Sequence, residues 1–216
     1  MTSLARRDIA LGLLEIGAVF LRPDQPFTWA SGIKSPIYCD NRLTLSDPAL
    51  RTQIEIALSE TVRDKHPQAD ALIGTSTAGI PHAAIAAHIL GLPMGYVRSG
   101  SKEHGRQNRI EGKLEAGWQV VVVEDLLSTG GSVIDVVKTI REAGAGVLGI
   151  VSIFTYGMRI CRERLAEAAV INTSLTDFDT VVDMAAGQGL IRQEDIAGLL
   201  AFRDKPKDES WMKEVL

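Results

Sequence analysis

The sequence predicts an α/β protein built on a mainly parallel sheet with helices on both faces. Three observations carry that expectation. Residues 120–123 are four consecutive valines, the pattern of a strand buried on both sides. From residue 71 to residue 171 short apolar runs alternate with helical patterns, which is the β-α-β rhythm of a parallel sheet. The length of 216 residues, 45% of them apolar, is enough to bury one large core.

In chain order, Ser3 stands where it can cap a first helix, with Ile9, Leu13, Leu14 and Ile16 at helical spacing. Residues 19–21 and 27–29 read as extended, broken by Pro23 and Pro26. Residues 31–38 read as a turn entering a strand. Ser46-Asp47-Pro48 offers a cap and an early proline for a helix running toward Lys65. Then come a strand at 71–73, an alanine-rich helix from Pro81 to near Gly91, a strand at 93–97 and a long polar connection over 98–112. After the valines, a helix runs to about Ala143. A strand at 147–154, a helix near 159–168 and a strand at 170–171 follow. Beyond Thr176 the pattern changes to short amphipathic helices at 178–186 and 193–202, separated by Gly187-Gln188-Gly189. The tail reads as exposed except for Trp211. The N-terminal segment and these last helices are expected to pack together as a cap over the sheet.

The net charge of −4 argues against nucleic acid as the main partner, because nucleic-acid-binding domains are usually basic. Cys39 and Cys161 form no Cys-x-x-Cys pair and no zinc spacing, so a reducing cytoplasm is the expected setting. The first residues lack the apolar core of a signal peptide, and no run is long and apolar enough to span a bilayer.

The valines lead into Glu124-Asp125-Leu126-Leu127-Ser128-Thr129-Gly130-Gly131-Ser132 and then a helix. A strand, a small polar turn and a helix N-terminus make an anion site, because free backbone N–H groups and the helix dipole converge there. Two carboxylates on the strand side suit sugar hydroxyls, so one loop could hold a ribose and its phosphate. The stretch is neither a nucleoside-triphosphate loop nor a dinucleotide fingerprint.

Three other segments have chemical meaning. Residues 98–112 are polar and punctuated by glycines, with Arg98, Lys102 and His104 able to neutralise a charged leaving group; they read as a lid or as a solvated surface loop. Residues 74–81 are small enough for a ligand to approach the backbone, although a plain strand-to-helix turn explains them too. Residues 27–36 offer aromatic surface and Lys34 for a flat anionic heterocycle, or form a surface hairpin. His66, His82 and His88 lack ligand spacing and read as surface or helix-packing residues.

Residues 124–132 resemble the 5-phosphoribosyl-1-pyrophosphate (PRPP) signature of type I phosphoribosyltransferases. Phe-Thr-x-x-Ser-Gly-x-Lys-Ser-Pro at 27–36 and Arg-x-x-x-Lys-x-His-Gly at 98–105 are similar to the orotate phosphoribosyltransferases, bacillus-type branch, as are 35–42 and 174–179. The resemblance implies the type I phosphoribosyltransferase fold in a single domain over 1–216, with a core at about 46–175 and a hood from about 1–45 and 176–216. It implies transfer of the phosphoribosyl group from PRPP to orotate, giving orotidine 5-monophosphate and pyrophosphate in pyrimidine biosynthesis.

It also implies a division of roles. Glu124, Asp125, Leu126, Leu127, Ser128, Thr129, Gly130, Gly131 and Ser132 would bind PRPP, the acidic pair on the ribose hydroxyls and the turn amides on the 5-phosphate. Ser128 would also lie near orotate. Arg98, Lys102 and His104 would reach PRPP across a homodimer interface, with Lys102, Arg98 and Asp125 catalytic. Magnesium would be held through PRPP and not by a protein cage. The chain has Ala30 and Ala78 where the enterobacterial branch carries lysines, Ser99 where that branch has a second basic residue, and Gly100 where the bacillus-type branch has lysine. Lys34 is a candidate to compensate for the first of these losses and hold orotate's carboxylate.

Three rival readings predict different features. A transferase for another base shares the signature but not 27–36. A PRPP-sensing regulator would bring a basic face and a nucleic-acid-binding element. A phospho-acceptor domain using Asp125 would not need Thr129-Gly130-Gly131-Ser132 directly afterwards.

Overall fold

The structure is a computed structural model and describes residues 3–29, 32–100 and 109–213. Helix α1 (Ser3–Glu15) is followed by short strands β1 (Val19–Leu21), β2 (Phe27–Thr28), β3 (Lys34–Ser35) and β4 (Ile37–Cys39), then a 3-10 helix (Asn41–Ser46) and α2 (Pro48–Lys65). Ser3 is the first helical residue and not a cap outside the helix. Strands β1 and β4 form one antiparallel pair, β2 and β3 another. Asp47 caps α2 by accepting from Leu50 N–H (2.9 Å), with Pro48 at the first helical position.

The alternating core follows: β5 (Ala71–Thr75), α3 (Gly79–Leu90), β6 (Met94–Val97), β7 (Ile110–Glu111), β8 (Gln119–Leu127), α4 (Gly131–Glu142), β9 (Gly146–Thr155), α5 (Arg159–Glu167) and β10 (Asn172–Asp177). These strands form one sheet in the order β10-β9-β8-β5-β6-β7, parallel except for β7. The crossovers β5-α3-β6 and β8-α4-β9 step in opposite directions along that order. Since such crossovers are right-handed, α3 covers one face and α4 the other. Helix α2 packs beside α3, and α5 beside α4. The four valines of β8 lie between these layers with no exposed surface, each contributing about 2 kcal/mol by burial.

Two boundaries differ from the sequence expectation. Strand β8 continues through the acidic pair to Leu127, because β9 pairs with it as far as Leu127↔Thr155. The last strand is not the apolar 170–171 but the polar β10. Residue Ala169 turns the chain at φ 47°, and Ile171 is exposed. Strand β10 is an edge strand whose Asn172 and Ser174 satisfy one another and Ser152 of β9 through hydrogen bonds of 2.7–3.0 Å. Hydrogen bonding replaces the apolar pattern that sequence reading relies on.

Helices α6 (Phe178–Gly187) and α7 (Asp195–Asp204) and a closing 3-10 turn (Glu209–Lys213) complete the chain. Helix α1 packs on α6, and Arg6 forms an ion pair with Asp177, the N-cap of α6. Trp29 sits edge-on to both Tyr156 and Phe202, 5.8 Å from each, and Phe202 in turn meets the buried Trp211 at 5.6 Å. The N- and C-terminal segments therefore meet over the end of β9. Among the described residues no helix is long and apolar enough to cross a membrane.

Gly74 shows how tightly β5 meets α3. A Cβ there would stand 2.9 Å from Ile80 Cα and 3.0 Å from Gly79 O, both backbone atoms. Gly74→Ala is expected to cost about 1–3 kcal/mol by overpacking, read as a lower midpoint in urea unfolding with unchanged slope.

Candidate active site

The chain leaves β5 and β8 in opposite directions, so a crevice opens between their carboxyl ends, the place where open α/β sheets bind ligands. Residues from both strands meet there. Thr75 Oγ1 donates to Glu124 Oε1 at 2.8 Å, and the same oxygen accepts Asp125 N–H at 2.9 Å. Glu124 is buried, while Asp125 is half-buried at the crevice. Burial first, and the neighbouring Asp125 second, push the Glu124 carboxyl up to about 8. With Oε1 accepting twice, the proton belongs on Oε2.

The turn after β8 is shaped by glycine. Gly130 has φ 77°, a conformation that other residues adopt at a cost, and its missing Cβ would meet Cys161 Sγ at 3.0 Å. Behind the turn, α5 reaches forward through Arg164, which donates to Thr129 O at 2.9 Å. Leu126 and Leu127 belong to β8; the Leu127 side chain lies in the core, which leaves only its backbone for a ligand, and Leu126 is half-buried. Ser128 is half-buried, and Thr129, Gly131 and Ser132 are exposed. Helix α4 starts at Gly131 without a side-chain cap, and so does α3 after the 74–79 turn. Their first-turn N–H groups lack intrahelical partners and face the same edge of the sheet. The Ser76–Thr77 peptide in that second turn is cis.

Arg98 follows β6, two strands from Glu124, and its guanidinium pairs with Glu111 at 3.3 Å. Arg109 fastens this stem to α4: it donates to Arg98 O (3.2 Å), Thr139 Oγ1 (3.1 Å) and Asp135 Oδ2 (2.5 Å). Lys102 and His104 lie outside the described residues, as does Ala30. Lys34 donates to Thr28 Oγ1 (2.7 Å) across the β2–β3 hairpin and is exposed. A cavity of about 720 Å³ opens beside Trp29, Ile33, Arg159, Arg164 and Lys205. Of the turn residues, Thr129 alone lines it, so this cavity is not centred on the acidic pair.

Sequence reading missed four supporting residues: Thr75, Asn41, Arg109 and Arg164. Thr75 and Arg109 fall inside segments already singled out, and Asn41 inside the quoted 35–42 stretch. Arg164 sits on an ordinary amphipathic helix and carries no local signal. Asn41 Nδ2 donates to Asp125 O at 2.6 Å and brings the N-terminal segment to the crevice.

Comparison with known proteins identifies the family. Residues 44–184 match the model of the phosphoribosyl transferase domain. The orotate phosphoribosyltransferase of Bacillus cytotoxicus is 53% identical over 207 residues, covering 96% of this chain and 99% of that protein. The crystal structure of orotate phosphoribosyltransferase from Aeropyrum pernix superposes with a TM-score of 0.74 at 31% identity, covering 85% of this chain and 99% of that one. The Mycobacterium tuberculosis orotate phosphoribosyltransferase solved in complex with PRPP shares the fold, with a TM-score of 0.64 at 21% identity over 82% of this chain and 99% of that one. The chain thus belongs to the phosphoribosyl transferase family and, within it, to the orotate phosphoribosyltransferases.

Proposed function

We propose that the crevice between β5 and β8 is where the protein transfers the phosphoribosyl group of PRPP to orotate, giving orotidine 5-monophosphate and pyrophosphate. The observation that carries the reading is the meeting of an acidic strand end with two uncapped helix starts at the point where the chain direction reverses. Asp125 and Glu124 take the ribose hydroxyls. The amides from Ser128 to Ser132 take the 5-phosphate, held in shape by Gly130 and Arg164. Ser128 faces orotate, and Lys34 is the cation assigned to its carboxylate. Residues 46–175 act as the core and the two terminal segments as a hood above the base.

The nucleophile is a ring nitrogen of an already anionic substrate, so no enzyme nucleophile is required. Catalysis comes from positioning and from charge stabilisation. The Asp125 carboxylate faces the cationic character that develops at the ribose, and protonated Glu124 keeps that side from carrying two adjacent negative charges. Arg98 and Lys102 oppose the charge that grows on pyrophosphate, with His104 beside them. These loop residues are assigned to the partner subunit's site in a homodimer, as the family resemblance implies; in this chain Arg98 pairs with Glu111. Among the described residues no cluster of three or more acidic, histidine or cysteine side chains could cage a metal. Glu124 and Asp125 offer carboxyl oxygens at the crevice, which fits a magnesium ion that would be held mainly through the oxygens of PRPP and water. When bound, that ion neutralises charge on the pyrophosphate. A cytoplasmic setting is supported by Cys39 and Cys161, both buried free thiols.

The direct test follows orotate consumption by ultraviolet absorbance with PRPP and magnesium, with uracil, hypoxanthine and adenine in parallel. Loss of orotate alone is expected; turnover of a purine without orotate would overturn the reading. Lys102→Ala should lower turnover about a hundredfold while orotate affinity changes far less. Glu124 also sets a pH dependence. Its folded value lies above its ordinary 4.5, so the native state holds a proton that the unfolded chain has released. Stability is therefore lost as pH rises from about 4.5 to about 8. The melting temperature of Glu124→Gln relative to the parent should climb across that window; a pH-independent difference would contradict the raised value.

A further inference from the structure

Behind Asp125 runs a buried polar chain that the reaction itself does not use. Asn41 is buried, and its Nδ2 donates to the Asp125 carbonyl at 2.6 Å while its Oδ1 accepts from Cys39 Sγ at 3.2 Å. Its own carbonyl accepts from Thr44 Oγ1 at 2.6 Å. Thr44 Oγ1 lies 3.5 Å from His82 Nε2, and His82 Nδ1 lies 2.5 Å from Glu55 Oε1. His82 and Glu55 have 0% and 1% of their surface exposed.

Counting protons fixes the roles along this chain. Thr44 has one hydroxyl proton and gives it to Asn41, so toward His82 it can only accept. His82 Nε2 must therefore be protonated. A second proton is shared between His82 Nδ1 and Glu55 Oε1. The pair is net neutral whichever partner holds that proton, which lets it remain buried. Removing the shared proton would leave a bare charge in the core. Glu55 Oε2 already has no hydrogen-bond partner. The pair is thus a rigid post that joins α2 to α3, and the 3-10 helix carrying Asn41 and Thr44 stands against it.

The geometry points to Asn41 as a positioning residue: braced by Thr44 on the Glu55–His82 post, it sets the backbone of Asp125 and so the aim of the carboxylate on the ribose. This deepens the reading of Asp125 as the ribose-side group and rests on it. The same post belongs to α3, whose uncapped start borders the other side of the crevice. One buried network therefore holds the ribose-side strand end and the neighbouring helix at a fixed separation.

The test measures binding of ribose 5-phosphate and of pyrophosphate to the full chain by calorimetry, beside KM and kcat for PRPP. Asn41→Leu keeps the volume and removes the donor. It is expected to weaken ribose 5-phosphate and raise KM for PRPP about tenfold, the size of one hydrogen bond, with pyrophosphate affinity unchanged. A merely structural role would lower the active fraction and leave both affinities alone. Should Asn41→Leu fail to fold, Thr44→Val carries the test, with ribose 5-phosphate weakened about threefold and pyrophosphate again unchanged. Equal affinities for ribose 5-phosphate in parent and variant, or equal weakening of both ligands, would overturn the inference. Asp125→Asn is the control: if it too leaves ribose 5-phosphate binding intact, the reading of Asp125 fails, and Asn41 loses its object.

Discussion

The hydrogen bond from Thr75 to Glu124 is the interaction on which the rest of the site depends. It joins the two strands on either side of the direction change, at the one place where the sheet opens. A carboxyl at the end of a strand covered on both faces cannot be left unpaired without a cost of several kcal/mol. Here the cost is met by two donors on one oxygen and a proton on the other. That arrangement leaves Asp125, the less buried neighbour, as the carboxylate that faces the crevice.

Charge in this region is handled by separation. The acidic residues sit on strand ends, where the backbone offers few compensating dipoles. The amides proposed to bind the phosphate sit on helix starts, where the dipole adds to them. Arg98 and Arg109 stand next to β6 and β7 at the sheet edge, and Arg109 ties Arg98 to α4, the helix that begins with the turn. A small displacement of α4 is thereby shared by the turn and by the stem, two parts of the site far apart in sequence.

Much of this was legible from the residues. Four valines ending in Glu-Asp and a glycine turn read as a central strand followed by an anion site, or by an ordinary polar turn, and the strand, turn and helix are there. Alternation elsewhere located β5, β6, α3, α4 and β9 to within a few residues. What escaped was whatever depends on partners distant in sequence. Strand β10 keeps Asn172 and Ser174 satisfied through Ser152 of its neighbour, and no local window reveals this. His82 read as a helix-packing residue, and it is one, but its significance comes from Glu55, which lies on a different helix. Lys34 donates to Thr28 across its own hairpin and stays exposed, a placement that depends on the pairing of β2 with β3. The 720 Å³ cavity against the turn owes its walls to Trp29, α5 and the C-terminal segment, which meet only after folding.

Gly130 presses its bare Cα face toward the sulfur of Cys161. The curvature of the bend is therefore moulded from behind by α5. A bulkier group at 161, whether encoded or added chemically, would act as a wedge under the bend. Burial keeps that thiol protonated and sheltered, so the mould stays the size for which the bend was cut.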